Sequence, residues 1–271
     1  MRECEFCGRE IDSDFIFCPF CGEPQIPVIG GLVGEELSAK IAAILDGTER
    51  RLQGIIGAFS RYIEAPVVDS IISGDMAELQ GVRRNVTVVF TDIRNSSGII
   101  ARLEPEQAVD LLSSHHERMS AAVQATKGVL DKFIGDGMMA FYTQGEPADH
   151  ARQAVLAGLQ MREYVAEANK EWPVPDIPLR IGVAINTGEA VVGSVGSRYR
   201  QDYTAIGAEI NYVDDLQEMA KQQRVDIVIS RSTYDLVADE VEAEEIGMLK
   251  RPPHGEEEPA YHVVKLRPAI A

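Results

Sequence analysis

The chain has 271 residues, of which 43 are acidic and 26 are basic, so its formal net charge is −17. This excess of acid argues against nucleic acid as a partner, because phosphate binding depends on Lys and Arg. No apolar run approaches the roughly 20 residues that a membrane helix requires. The N-terminus also lacks the apolar segment of a secretion signal. We therefore expect a soluble, cytoplasmic protein with one or two domains and no membrane span.

The four cysteines form two Cys-x-x-Cys pairs, each followed by glycine: Cys4, Cys7, Cys18 and Cys21. Thiolates at this spacing can bind one tetrahedral zinc, and glycine favours the tight turn between them. Disulfides are the alternative, but clustered pairs without a secretion signal favour metal. The spacing predicts a zinc ribbon over residues 1–25 with one structural Zn²⁺. Four thiolates leave no open coordination position, so we expect the metal to stabilise the ribbon and not to catalyse. Because Arg2 and Arg9 are its only basic residues, we expect the ribbon to contact a protein partner or to act as a sensor, not to bind nucleic acid.

Residues 26–80 are predicted to form a linker and an amphipathic helix. Pro24 and Pro27 mark the end of the ribbon. A heptad-like apolar seam then follows: Leu37, Ile41, Ile44, Leu45, Thr48, Leu52, Ile55, Phe59 and Tyr62. Such a helix either packs on its own domain or pairs in a parallel dimer. Because Gly47, Gly54 and Gly57 weaken helix propensity, we expect the helix to need a partner surface.

Beyond Gly81, strand and helix patterns alternate. The predicted elements are a strand Asn85–Thr91, a helix from Pro105 to about Thr126, a hairpin of Val129–Ile134 and Met138–Tyr142, a helix from about Ala148 to Asn169, strands Leu179–Ile185 and Ala190–Val195, a helix from about Ala208 to Gln222, a strand Val225–Ser230, a short helix near Thr233–Val237, and strand segments up to Leu266. This order predicts an α+β fold in which helices cover one face of a largely antiparallel sheet.

Two acids stand where these strands end. Asp92 follows an apolar strand, and Asp136 occupies the turn of the predicted hairpin. Either acid alone would be an ordinary turn residue. Together they could hold two divalent ions that activate an attacking oxygen and neutralise phosphate charge. His115 and His116 match no ligand motif, and we interpret them as surface or packing residues.

Several segments resemble, in register, the signatures of class III adenylyl/guanylyl (nucleotidyl) cyclase catalytic domains. They are Val86–Arg94, Asp131–Gly137, Arg180–Glu189, Asp202–Gly207 and Asn211, and Phe59–Ile63 and Pro66–Asp69 resemble the helix that leads into such domains. The order of these motifs is more specific than any one of them. The resemblance implies a ferredoxin-like α+β catalytic domain over residues 81–268, after the ribbon and the linker helix.

The resemblance also implies roles for individual residues. Asp92 and Asp136 match the carboxylates that bind two Mg²⁺ or Mn²⁺ ions, with the Ile93 carbonyl as a further ligand. Lys132 and Thr204 match the residues that read the purine, and Asn211 matches the catalytic residue that orients the ribose. The loop after Asp92 is expected to contact substrate through Ile93, Asn95, Ser96 and Ser97. In this family the site lies between two subunits, which implies a homodimer that binds a nucleoside triphosphate, with ATP as first choice.

The match fails at a few positions. Asp215 stands where the family has an Arg that stabilises the transition state, so attraction for polyphosphate becomes repulsion. Asn95 and Ser96 replace the usual Gly and Phe, and Ala208 replaces a frequent acid. Compensating charge could come from Arg94, Arg198 or Arg200. Two functions follow: an adenylate cyclase that releases pyrophosphate, or a catalytically weak nucleotide-binding sensor or scaffold. A cyclase for another triphosphate is a variant of the first.

Overall fold

The computed structural model describes residues 2–4, 7–11, 18–21, 47–50, 52–54, 56–57, 63, 65–74, 79–172, 176–251 and 255–268. The chain divides into two compact units, Met1–Phe59 and Ser60–Ala271. In the first unit, β1 (Arg2–Glu3) and β2 (Glu10–Ile11) pair antiparallel. Residues 47–50, 52–54 and 56–57 are helical and include Thr48 and Leu52 of the predicted seam. The other seam residues and residues 59–62 lie outside the described part of the chain.

The second unit alternates helices and strands. Its elements are α1 (Ala65–Ser73), β3 (Val82–Ile93), α2 (Ser96–Ile100), α3 (Pro105–Ala125), β4 (Val129–Ile134), β5 (Gly137–Tyr142), α4 (Pro147–Ala168), β6 (Ile181–Gly196), β7 (Gln201–Ile206), α5 (Ala208–Gln223), β8 (Ile227–Ile229), α6 (Arg231–Val237), β9 (Val241–Arg251) and β10 (Glu256–Leu266). The long helices α3 and α4 both begin with Pro, and both have a capping box that satisfies their first N–H groups. Among the described residues, no helix is long and apolar enough to cross a bilayer.

Eight strands form one mixed sheet in the order β4-β5-β3-β6-β8-β10-β9, and β7 also pairs with β6. All pairs are antiparallel except β6 with β8, which agrees with the predicted sheet. The prediction of two strands within residues 179–195 was wrong. β6 is one strand of 16 residues, because β3 pairs with it without interruption from Ile181 to Val192. The strand β7 was not predicted, since its polar start, Gln201 and Asp202, hides the apolar pattern.

Helices cover both faces of the sheet, so the prediction of helices on one face was wrong. One buried cluster joins the sheet to α3, α4 and α6, and a second joins its other face to α5. Successive residues of β3 from Val86 to Val89 are all buried for this reason, and so is every residue of β5. The stripe on α5 that covers the second face consists of Ile210, Tyr212, Val213, Leu216, Met219 and Ala220. A two-sided core leaves the strand ends and connecting turns as the places where polar chemistry can collect.

Candidate functional site

The structure brings the turn acid Asp136 next to the strand-end acid Asp92. The backbone N–H of Ile93 donates to Oδ2 of Asp136 at 2.9 Å, and Ile93 directly follows Asp92 in the chain. The hydroxyl of Ser96 donates to the other oxygen of Asp136, also at 2.9 Å. The two predicted carboxylates therefore lie at one end of neighbouring strands, and their charges influence each other.

The close approach of the turn depends on Gly137. β3 and β5 are paired from Thr87–Tyr142 to Thr91–Met138, so the turn that precedes β5 reaches the end of β3. A Cβ on Gly137 would lie 2.4 Å from the carbonyl oxygen of Thr91, which is too close for any other residue. The glycine in the motif thus has a steric reason, and Asp136 could not take this position without it.

Asp92 is held by one backbone group and one cation. The N–H of Gly182 donates to Oδ1 at 3.1 Å, and the guanidinium of Arg94 donates to Oδ2 at 3.0 Å. Burial raises the pKa of Asp92, and the neighbouring Asp136 adds to this increase. Arg94, the N–H of Gly182 and Lys221 lower the pKa and so oppose it. A divalent cation bound at this carboxylate would favour its charged form.

The departure from the family at Asn95 is conformationally mild. Asn95 has φ 60 and ψ 34, in the left-handed region, where Gly is the best residue and Asn is the next best. The loop can therefore keep its path although Gly is replaced. Ser96 contacts Asp136 as described, while Ser97 is exposed in the first turn of α2.

A second group of predicted residues assembles around Asp131, which the sequence analysis did not single out. The Thr204 hydroxyl donates to the buried carboxylate of Asp131, and Nζ of Lys132 lies 3.2 Å from its other oxygen. Asp131 is the extra residue at an irregularity between Leu130 and Lys132 in the pairing of β4 with β5. Burial raises the pKa of Asp131, while Thr204, Lys132 and the backbone of Ala205 oppose that increase. An acid beside the Lys in an otherwise apolar strand was the available signal.

Asn211 and Asp215 lie one turn apart on α5, and both are exposed. Residues four positions apart share a helix face, so Asp215 lies beside the predicted ribose contact. The guanidinium of Arg251 fixes the start of this helix through Glu209 at 3.0 Å. Arg198 and Arg200 lie in the turn between β6 and β7, outside this helix, and both are exposed.

A basic cavity of about 640 Å³ adjoins the loop after Asp92. Its lining includes the cationic residues Arg94, Arg162, Arg180, Lys221 and Arg224, with Asp226 and His262. Arg162 and His262 both contact Asp226. In a chain with a net charge of −17, such a concentration of cations favours an anionic ligand.

The adjacent histidines occupy different surroundings. His115 is only 4% exposed, and burial lowers its pKa to about 4, assisted by His116. The ring of His116 stacks on Phe133 with 4.1 Å between ring centroids. Burial lowers the pKa of His116, while the nearby turn residues Asp136 and Gly135 oppose this decrease. His116 therefore packs on the strand that leads into the turn of Asp136, a contact that the sequence analysis did not predict.

In the first unit, the four cysteines converge. Their Sγ atoms all lie within 4.8 Å of one another, with 3.8 Å between Cys4 and Cys21 and 3.7 Å between Cys7 and Cys18. These separations are far longer than a disulfide bond of about 2.05 Å. Gly8 has φ 68, which fits the tight turn expected after the first pair.

The sequence profile of the family described as "Adenylate and Guanylate cyclase catalytic domain" matches residues 80–264. The chain therefore belongs to this family. Adenylate cyclase 1 of Rhizobium meliloti (strain 1021) is 31% identical over 222 residues, which cover 79% of this chain and 33% of that protein. An adenylate cyclase of Anabaena cylindrica is 24% identical over 197 residues, which cover 71% of this chain and 39% of that protein. The chain thus matches well under half the length of these relatives.

Solved structures show the same fold. The crystal structure of the adenylyl cyclase CyaB from P. aeruginosa has 32% identity and a TM-score of 0.64, and the match covers 70% of this chain and 98% of that one. The guanylyl cyclase Cya2 has 26% identity and a TM-score of 0.62, with coverage of 70% and 96%. The catalytic domain of this family therefore accounts for most of the second unit.

Proposed function

We propose that this chain is an adenylate cyclase that converts ATP to 3′,5′-cyclic AMP and pyrophosphate at sites shared by two copies. The observation that carries the proposal is the bond from Ile93 N–H to Asp136, because it places that carboxylate beside Asp92. Family membership and the two adenylate cyclase relatives support the same activity. The proposed organisation is a zinc ribbon at 1–25, a linker helix at 26–80 and the catalytic domain at 81–268.

The donor set suits Mg²⁺ or Mn²⁺. The carboxylates of Asp92 and Asp136 and the carbonyl of Ile93 would hold two ions per site, since all are hard oxygen ligands. When bound, such ions supply charge neutralisation at the phosphates and activation of the attacking 3′-oxygen. Ser96 and Ile93 orient Asp136 through their hydrogen bonds, so the carboxylate is prepositioned. Arg94 balances the charge of Asp92.

The choice of ATP rests on the group around Asp131. Lys132 would donate to a purine ring nitrogen and Thr204 would contact the exocyclic group, as in the ATP-preferring members that the motifs resemble. Asp131 holds both side chains, because it accepts from the Thr204 hydroxyl and pairs with the Lys132 ammonium. Asn211, exposed on α5, would orient the ribose so that its 3′-hydroxyl faces the α-phosphate.

The proposal of two copies follows the family resemblance, in which the site residues come from two subunits. Asp92 and Asp136 belong to one group, and Lys132, Thr204 and Asn211 belong to the other, which the family draws from the opposite subunit. A homodimer would then form two equivalent sites. Small rotations between the copies would separate the groups, which gives the N-terminal module a means of regulation.

The basic cavity supports binding of a triphosphate despite Asp215. Arg94, Arg180 and Lys221 concentrate positive charge beside the Asp92 loop, where phosphates held by the metal ions would extend. Asp215 favours the second candidate, a catalytically weak nucleotide sensor or scaffold, because it adds negative charge beside Asn211. The third candidate is a cyclase for another triphosphate, and the altered loop at Asn95 and Ser96 would favour it.

The cysteine cluster suits one structural Zn²⁺. A tetrahedron with Zn–S bonds of about 2.3 Å has S–S edges of about 3.8 Å, which matches the two short Sγ separations. Four thiolates would close the coordination shell, so the ion would stabilise the fold of the ribbon. The ribbon would then present a surface for a protein partner.

The test is incubation of the purified full chain with each of the four ribonucleoside triphosphates and Mn²⁺, with products separated by mass. We expect cyclic AMP from ATP, and its loss in Asp92→Ala. Asp239→Ala, which removes an exposed acid elsewhere, is the matched control and should keep the activity. If no triphosphate is cyclised but ATP still binds with Mn²⁺, the sensor function is correct. If another triphosphate gives more product, the substrate assignment is wrong.

A further inference from the structure

We propose that a cavity between α3 and α4 binds an uncharged, planar aromatic molecule that carries a hydroxyl group. The cavity has a volume of about 550 Å³ and shares no residue with the carboxylate pair or the Asp131 group. Its size falls within the range of small-molecule sites. The inference does not depend on the proposed cyclase activity, because it rests on side chains of a different pair of elements.

His115 is the buried polar side chain that lines this cavity. The residue is 4% exposed, and its buried Nε2 has no hydrogen-bond partner among the described residues. A buried polar atom without a partner is unfavourable. A hydroxyl bound in the cavity would supply the partner that this imidazole lacks. A hydroxyl suits either tautomer, because it both donates and accepts.

The walls favour a flat apolar body. The lining includes Leu111 and Met119 on α3, Tyr164 on α4, and Trp172. The indole N–H of Trp172 donates to the carbonyl of Ile177 at 2.7 Å, which fixes the ring in place. Aromatic and thioether side chains in this arrangement can stack on a planar ring or meet its edge.

The charges at the rim favour an uncharged ligand. Asp110 and Arg118 carry opposite charges and both lie at the cavity. Glu167 also lines it, but pairs with Lys170. The nearby charges therefore largely cancel, and a ligand with a net charge would gain little attraction. His115 adds no charge near neutral pH, since its pKa is about 4.

The test measures binding of 5-indanol and of indane, which lacks the hydroxyl, to the full chain without metal or nucleotide. Trp172 is the only tryptophan of the chain, so its fluorescence reports on the cavity directly. We expect saturable binding of 5-indanol. His115→Leu should weaken that binding about tenfold, as for one lost hydrogen bond, and should change indane binding less than about twofold.

A second pair of variants tests the location. Ser114→Phe places a ring in the cavity, whereas Ser113→Phe changes the preceding exposed residue, which does not line it. We expect only the first to abolish binding, including in the case where His115→Leu fails to fold. Absence of saturable binding, or equal affinity in wild type and Ser114→Phe, would overturn the proposal. A failure of the cyclase assay would leave these measurements unaffected.

Discussion

The Ile93 N–H donates to Asp136 at 2.9 Å, although the two residues are 43 positions apart. One carboxylate thus ties the hairpin turn to the end of β3. We predict that Asp136→Asn keeps the hydrogen bond from Ile93 N–H, because its amide oxygen can accept it. The variant loses the negative charge that would bind the metal ion. Mn²⁺-dependent turnover should fall roughly 100-fold.

A comparison of Asp136→Ala with Asp136→Asn separates the effect of this residue on stability from its effect on metal binding. Alanine removes both the Ile93 and the Ser96 bonds, so we expect a loss of about 1–3 kcal/mol in the free energy of unfolding. Asparagine should cost less. Urea unfolding and Mn²⁺ titration of both variants provide the measurement, and equal Mn²⁺ affinity in wild type and Asp136→Asn would exclude Asp136 as a metal ligand.

Asp131 gives a pH prediction. Its pKa is raised in the fold, chiefly by burial, so the folded chain binds its proton more tightly than the unfolded chain does. The stability that it contributes is therefore present below about pH 4, near the ordinary pKa of Asp, and is lost as the pH rises through the folded value. Asp131→Asn should gain stability relative to wild type over that rise.

The measurement for Asp131 is the free energy of unfolding at a series of pH values from about 4 to 7. The difference between Asp131→Asn and wild type should grow with pH. Asp239→Asn corrects for the loss of one exposed carboxylate. A difference that shrinks as the pH rises would show that Lys132 and Thr204 outweigh burial at this site.

The third prediction concerns Asp215. Asp215→Arg places a cation one helical turn from Asn211, at the position where the family resemblance implies an Arg beside the phosphates. We expect kcat for ATP to rise about tenfold, because an added positive charge near a transferring phosphate lowers the barrier. Asp214→Arg makes the same change of charge at the adjacent exposed residue and should have little effect. A fall in kcat for Asp215→Arg alone would mean that the site works with Asp215.

The fourth prediction concerns the shared site. Asp92→Ala and Lys132→Ala chains are each expected to be inactive, but their mixed dimer would contain one intact site. Random pairing in an equal mixture should recover about a quarter of wild-type activity. Asp92→Ala mixed with Asp136→Ala should recover none, since both changes fall in the same half. Equal results for the two mixtures would contradict a site shared between copies.

The fifth prediction concerns zinc. Metal analysis of the purified chain should give one Zn²⁺ per chain, released when the thiols are modified. Cys18→Ser should bind it much more weakly, because Cys18 is one of only four ligands. Ser13→Ala, in the same segment but with no predicted role, is the control. Intact thiols with no bound zinc after refolding with excess metal would exclude the ribbon.

The sequence predicted the parts of the fold in which one pattern dominates. The helices that begin at Pro105 and near Ala148 and the strand Val129–Ile134 are close to the observed bounds, because their caps, turns and apolar spacing agree. The prediction was wrong where pairing with a distant strand sets the bounds of an element, as in β6. Alternation could not show that β3 would hold residues 186–189 in register, nor that α5 would cover the opposite face.

In the candidate site, too, local sequence patterns predict some residues, whereas others depend on packing. The strand end and the glycine-flanked turn predict Asp92 and Asp136, and the structure brings them together. The stacking of His116 on Phe133 and the position of Asp131 at an irregular pairing could not be predicted, since both depend on how distant segments pack. The left-handed conformation of Asn95 also becomes evident only from the backbone.

The helices on both faces of the sheet limit how a second copy can associate. With α3, α4 and α6 on one side and α5 on the other, sheet-on-sheet stacking between chains would require these helices to unpack. We expect contact to use strand ends, hairpin tips and the flanks of helices instead. We expect such an interface to be sensitive to rotation, so that under the proposed function a small rotation between the copies would alter both shared sites together.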